Sequence, residues 1–235
     1  MIEARNLQKN YGSVRAVDDL TFKAADGTIT GLLGSNGAGK TTTLRLICGV
    51  LQPDRGSIHI DGYEPAQARL GALLDHTGLY ARLTTRENLT YFGELRGMPR
   101  AQLSARVDEL LSLLGLERIA DRRTAGFSQG ERMKIALGRA IIHSPRNLLL
   151  DEPTNGLDIA TVRALRQTLR QMRDSGMCIV FSSHVLGEVR SLCDNVAIVA
   201  AGRIVGQGSP GDLAREDAFI ELTNLAHASE CRADA

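Results

Sequence analysis

The sequence of 235 residues contains no tryptophan, only 4% aromatic residues, six prolines and four lysines against 24 arginines. No apolar run approaches the roughly 18 residues of a membrane-spanning helix; the longest are short pieces such as VAIVAA at 196–201. The N-terminal stretch MIEARNLQKNYG lacks an apolar signal core, so the chain is expected to stay on the cytoplasmic side. Its four cysteines, Cys48, Cys178, Cys193 and Cys231, stand singly without a CxxC pair. That argues against a zinc or dithiol site, and they read as reduced, mostly apolar fillers. A clear charge excess is also missing: the formal net charge is +1, which argues against a protein that coats nucleic acid or a lipid surface. There is no internal repeat and no low-complexity segment. What is present is a 43% hydrophobic chain, enough for one large domain or a domain with an inserted subdomain.

The first stretches, IEARNLQKNYG and AVDDLTFKAADG, alternate apolar and polar positions and end at glycines, as half-exposed antiparallel strands do. ITGLLG at 29–34 reads as a short buried strand, TTTLRLICGV as a helix with Leu44 and Cys48 on one face, and SIHIDGY as a strand and turn. From about 83 to 121 the spacing is helical, with Val107, Leu110, Leu111 and Leu114 at i, i+3, i+4 and i+7. With no Pro/Gly/Ser linker, this segment reads as a helical insertion; together with the helix that follows it spans about 83–140. Next come a helix from Glu131 to Ile142, the strand NLLLDEP and a helix carrying Leu165, Leu169 and Met172. The strand CIVFSSH follows, then a hairpin over 195–207 turning at Ala201 and Gly202. Strands alternating with helices predict an α/β core with parallel strands behind an N-terminal antiparallel β subdomain, over residues 1–215. Residues 216–235 read as a C-terminal tail.

GSNGAGKTT, running through Gly34, Ser35, Asn36, Gly37, Ala38, Gly39, Lys40, Thr41 and Thr42, matches G-x-x-x-x-G-K-[ST]. Glycines let consecutive backbone N–H groups curl around phosphate oxygens, and the helix opening at Lys40 points its positive end at the same anion. In this motif Lys40 neutralises the β and γ oxygens and the Thr41 hydroxyl ligates Mg²⁺. The required context, a strand before and a helix after, is also present. The chain is expected to bind a nucleoside triphosphate.

NLLLDEP ends an apolar strand with two acids. In an open α/β sheet ligands sit beyond the carboxyl ends of the strands, where Asp151 and Glu152 emerge. Asp-Glu-Pro also suits the start of a helix. With a phosphate loop upstream we assign Asp151 to Mg²⁺ and Glu152 to polarising the attacking water. His184 closes the strand CIVFSSH. A lone histidine at a strand end is more often a surface polar residue, but this strand belongs in the same sheet as Asp151. The imidazole is therefore expected at the same rim, able to bond a γ-phosphate or orient water. His76 and His143 lack such placement.

FSQGERMKIALGRA at 127–140 precedes the two-acid strand, and by itself Ser128 with Glu131 makes a capping box. Between the phosphate loop and NLLLDEPTNGLD, however, it resembles the ATP-binding cassette (ABC) family, the nucleotide-binding subunits of ABC transporters. The resemblance runs in the family's order to about residue 212. It implies that Tyr11 stacks on adenine, that GSNGAGKTT and NLLLDEP are the Walker A and B segments, and that Asp158 in TNGLD belongs to the D-loop. His184 matches the switch histidine. The family further implies a head-to-tail dimer of like or unlike cassettes, with Ser128 and Gly130 donating to the γ-phosphate of ATP held by the other subunit. It also implies an integral-membrane permease as partner and a place on the cytoplasmic face of the membrane.

Two departures stand out. The usual LSGGQ is FSQGE, with Gln129 for the first glycine and Glu131 for the glutamine. The Q-loop glutamine corresponds to Asp75, which as an acid can still approach Mg²⁺; an alignment shifted by one puts His76 there. LLDHTGLYARLTTRENLTYF and SSHVLGEVRSLCDNVAIVAAGRIV look most like the sodium-efflux type within the ABC-2 exporters. The competing reading is a soluble ABC ATPase acting on ribosomes or DNA. One cassette, no heptads and a net charge of +1 disfavour it, and no nucleic-acid partner is expected.

Overall fold

The computed structural model describes residues 1–63, 70–74 and 78–213. Two strands, β1 (Ile2–Tyr11) and β2 (Val14–Ala24), pair antiparallel, and β4 (Arg55–Ile60) adds to the free side of β1. The second sheet has six strands in the order β5-β6-β7-β3-β8-β9. These are β5 (Leu70–Leu73), β6 (Asn147–Asp151), β7 (Cys178–Ser183), β3 (Ile29–Leu33), β8 (Asn195–Ala200) and β9 (Arg203–Gly208). All neighbours are parallel except the β8–β9 hairpin, as the alternation of strands and helices predicts.

Strand alternation divides the apolar residues between two cores. On one face Leu32, Leu149, Val180 and Ala197 pack with the antiparallel sheet and with α1 (Lys40–Ile47). On the other, Leu33, Leu148, Leu150, Ile179, Phe181 and Ile198 meet the remaining helices. These are α2 (Thr85–Leu95), α3 (Arg100–Leu113), α4 (Gln129–Ile141), α5 (Ile159–Asp174) and α6 (Leu186–Leu192); a short α7 (Pro210–Leu213) follows β9. Val107, Leu110, Leu111 and Leu114 are all buried, so the periodic positions do face the core. Helix α2 packs on α3 and α4 and opens with a capping box, Thr84 reciprocating with Glu87. Helix α4 begins at Gln129, two residues before the start expected from its pattern.

Strand β5 and helices α6 and α7 were not expected from the sequence. Cys48, Cys178 and Cys193 are buried, and desolvation pushes the thiol of Cys178 up to about 12 and that of Cys193 further. Cys231 and the tail at 216–235 lie outside the described residues. Among the described residues no helix is long and apolar enough to cross a membrane.

Candidate functional site

The loop at residues 34–39 leaves the carboxyl end of β3, the central strand, and turns into α1. Gly39 caps that helix at φ 103°, and a Cβ there would stand 2.4 Å from the Ala16 carbonyl oxygen of β2. Only glycine satisfies both the dihedral and the contact. At Gly34 a Cβ would come within 2.3 Å of the Val199 carbonyl oxygen. Helix α1 has no side-chain cap and no acid in its first turn, so its leading N–H groups stay directed at the loop. Ser35, Asn36 and Gly37 are exposed, Ala38 is buried beneath them, and Thr41 and Thr42 are half-buried in the first turn of α1.

Lys40 is 5% exposed, and its Nζ donates to the carbonyls of Gly34 (2.8 Å) and Ser35 (3.0 Å). The same ammonium lies 3.3 Å from Glu152 Oε1. Glu152 follows β6 at φ 45°, a backbone reversal that takes its carboxylate out of the strand's alternation. Its Oε2 is 3.0 Å from His184 Nδ1 and accepts the side-chain amide of Asn155. Burial raises the Glu152 carboxyl, but the Asn155 amide and the charges of Lys40 and His184 outweigh it and hold the group below the usual range. Lys40, Glu152 and His184, from three separate segments, thus meet at one rim of the sheet.

Asp151 is the last residue of β6 and pairs in register with Ser182 of β7. The Ser182 hydroxyl donates to Asp151 Oδ1 (2.5 Å) and accepts from the Glu152 N–H (3.0 Å). One buried hydroxyl therefore fixes both acids. Beneath His184, Glu188 of α6 accepts from Ser183 (2.7 Å) and from Thr154 (2.8 Å), tying the segment after β6 to the segment after β7. Asn155, Ser182 and Glu188 were missed in the sequence; the one available hint was the polar SS before His184 at the end of an apolar strand.

Tyr11 ends β1 opposite Val14, and 47% of it is exposed. It tops the hairpin whose second strand brings Ala16 against Gly39. Ser128 and Gly130 sit apart from this cluster, at the N-terminus of α4. The Ser128 N–H and hydroxyl both donate to Glu131 Oε2 (2.8 and 2.9 Å), while Glu131 N donates back to Ser128 Oγ (3.2 Å). The Ser128 N–H, with help from its hydroxyl and against burial, holds the Glu131 carboxyl below its ordinary range. Gly130 lies against Thr161, and no hydrogen bond among the described residues joins the α4 N-terminus to the loop at 34–42 of its own chain. Asp158 caps α5, accepting from both the N–H (3.0 Å) and the hydroxyl (2.6 Å) of Thr161. Asp75 and His76 lie outside the described residues.

A family model described as "ABC transporter" matches residues 17–155. The ABC transporter ATP-binding protein NatA of Bacillus subtilis (strain 168) is 41% identical over 229 residues, covering 94% of this chain and 93% of that protein. The Nod factor export ATP-binding protein I of Paraburkholderia xenovorans (strain LB400) is 39% identical over 231 residues, covering 95% and 76%. A solved structure titled "Structure of ATP binding subunit of ABC transporter" superposes with a TM-score of 0.85 at 30% identity, covering 95% of this chain and 99% of that one. The chain therefore belongs to the ABC transporter family as an ATP-binding subunit, one that binds nucleotide and hydrolyses ATP to power transport.

Proposed function

We propose that the chain is the motor of an ABC-2 type exporter, of the sodium- or drug-efflux kind, and that it works as a head-to-tail pair of cassettes on the cytoplasmic face of a membrane permease. The observation that carries the catalytic part is the meeting of Lys40, Glu152 and His184. An incoming triphosphate competes with Glu152 for the Lys40 ammonium, because phosphate oxygens carry more charge than one carboxylate. Glu152, released on that side, is left to accept a proton from the attacking water, while His184 on its other oxygen orients it. The two acids have different partners, Asp151 the Ser182 hydroxyl and Glu152 the Lys40 ammonium and His184, which fits two separate tasks.

The donors suit Mg²⁺. That ion takes hard oxygen ligands and only one or two of them from protein. The Thr41 hydroxyl and the Asp151 carboxylate supply that number, and the described residues hold no cluster of three metal-binding side chains. Held by Thr41 and Asp151, the ion would supply positive charge to offset the negative charge that develops on the phosphates during hydrolysis. The exposed ring of Tyr11 is the platform for adenine. Asp75 is retained as a third approach to the metal from the family resemblance alone.

Pairing is supported by the α4 N-terminus, where Ser128 bonds Glu131 and, among the described residues, nothing in the loop at 34–42, and by Ile159, an apolar residue 82% exposed beside Asp158. Across the pair these residues would meet the other subunit's γ-phosphate. The permease is read from a cavity of about 380 Å³ lined by Cys48, Val50, Leu70, Ala72, Arg96 and Arg139. Val50 there is 65% exposed, which favours a short cytoplasmic helix with an apolar side chain to seat against it. The test is a pull-down of tagged protein from detergent-solubilised membranes, with co-purifying chains identified by mass spectrometry. A multi-span partner is the expected result; ribosomal or DNA-repair proteins would keep the ATPase chemistry and overturn the transport role.

A further inference from the structure

Gln129, where the family's signature has glycine, makes a contact that glycine cannot make. Its side-chain amide donates to the carbonyl oxygen of Asn155 at 2.8 Å, across 26 residues of chain. The same amide lies flat on Gly156: a Cβ at that position would stand 2.5 Å from Nε2 and 2.7 Å from Oε1 of Gln129. One position further along α4, Gly130 packs against Thr161 at the start of α5. The turn that begins at Glu152 closes with Asn155 N donating to the Glu152 carbonyl (3.2 Å), and the Asn155 side chain donates to Glu152 Oε2. The backbone of Asn155 is thus gripped by α4 while its side chain grips the carboxylate.

We propose that Gln129 is a positioning residue for ATP hydrolysis: by holding the Asn155 carbonyl it aims the Asn155 amide at Glu152, joining the N-terminus of α4 to the carboxylate that polarises water. The inference rests on that reading of Glu152. Gln129 bonds neither Lys40 nor the loop at 34–42 among the described residues, so its influence falls on turnover and not on nucleotide capture. In a head-to-tail pair the same α4 N-terminus faces the other subunit's nucleotide. Gln129 then links the subunit's contact with one ATP to its own hydrolytic carboxylate.

The test compares kcat and KM for MgATP hydrolysis by the full chain and its Gln129→Met, Gln129→Lys, Asn155→Ala, Gln129→Met/Asn155→Ala and Glu152→Gln variants. Methionine matches glutamine in length without donating; lysine can donate to the Asn155 carbonyl. Loss of one positioning hydrogen bond corresponds to about a three- to tenfold fall in kcat for Gln129→Met, with KM within about twofold. Gln129→Lys should keep kcat within about twofold, and the double variant should be no slower than Asn155→Ala, because both act through one contact. The inference is overturned by wild-type kcat in Gln129→Met, by a loss carried by KM, by a lysine variant as slow as the methionine one, or by losses that multiply in the double variant. Near wild-type turnover in Glu152→Gln overturns the underlying reading of Glu152 instead, whatever Gln129 does.

Discussion

Replacing Ser182 with alanine removes one hydroxyl that serves two acids. Ser182 is fully buried, donates to Asp151 Oδ1 at 2.5 Å and accepts from the Glu152 N–H at 3.0 Å. The bond to a carboxylate contributes about 1.5–3 kcal/mol, and a buried N–H left without a partner costs about 1–3 kcal/mol. The two effects overlap because they share one atom, so about 3 kcal/mol is the expected destabilisation. In a domain of this size each kcal/mol lowers Tm by about 2–4 °C, giving a fall of about 6–12 °C. Glu152 holds a left-handed backbone, of order 1–3 kcal/mol above an ordinary one, and the Ser182 bond is one of the contacts that keep it there. The carboxylate should therefore wander from Lys40 and His184, lowering kcat about tenfold while nucleotide affinity, set by the loop and Lys40, changes little. Calorimetry and steady-state hydrolysis on the same preparation read both effects. A Tm within about 1 °C of wild type, or unchanged kcat, would refute the claim that this hydroxyl fixes the two acids.

Gly39→Ala should weaken MgATP binding at least about tenfold, since its Cβ would press on the Ala16 carbonyl at 2.4 Å and φ 103° disfavours any side chain; equilibrium binding of a fluorescent ATP analogue reads this, and unchanged affinity would contradict the loop geometry. Leu110→Ala, at a fully buried position on α3, should cost about 2–5 kcal/mol in chemical denaturation, and a cost below about 1 kcal/mol would mean α3 does not pack as described. Cys178 and Cys193, buried and with thiols pushed far above neutral pH, should escape alkylation at pH 8 in the native state and react once unfolded. Peptide mass spectrometry after brief labelling reads this, and rapid native labelling of either would contradict their burial.

The parts of the site that lie in contiguous runs were legible in the sequence. The strand before the loop at 34–39, the helix after it and the strand at 147–151 each lie in one stretch, so residue type and spacing are enough to read their local structure. Helix α3 was legible because Val107, Leu110, Leu111 and Leu114 repeat a single face over two turns. The short LGAL of β5 was not, because four small or apolar residues have no period that separates strand from loop. Helix α6, seven residues long, has the same difficulty. Contacts closed by the tertiary fold were out of reach: Ser182 with Asp151 spans 31 residues and Gln129 with Asn155 spans 26. The reversed φ of Glu152 was hidden as well, because glutamate has no preference for that region and only its neighbours hold it there. Ser128 and Glu131 were readable as a capping box. That the box engages the Ser128 hydroxyl and N–H together is a matter of geometry that residue types do not settle.

The central claim, that Glu152 at the Lys40–His184 rim drives hydrolysis in an ATP-closed pair, is tested most directly by Glu152→Gln. Turnover and association state are measured together in MgATP, the latter by light scattering at micromolar protein. The account predicts that ATP is still bound, that turnover falls at least about a hundredfold, and that a stable ATP-bound dimer accumulates. Turnover within about tenfold of wild type would contradict the role of Glu152, and a monomer with ATP bound would contradict the pairing.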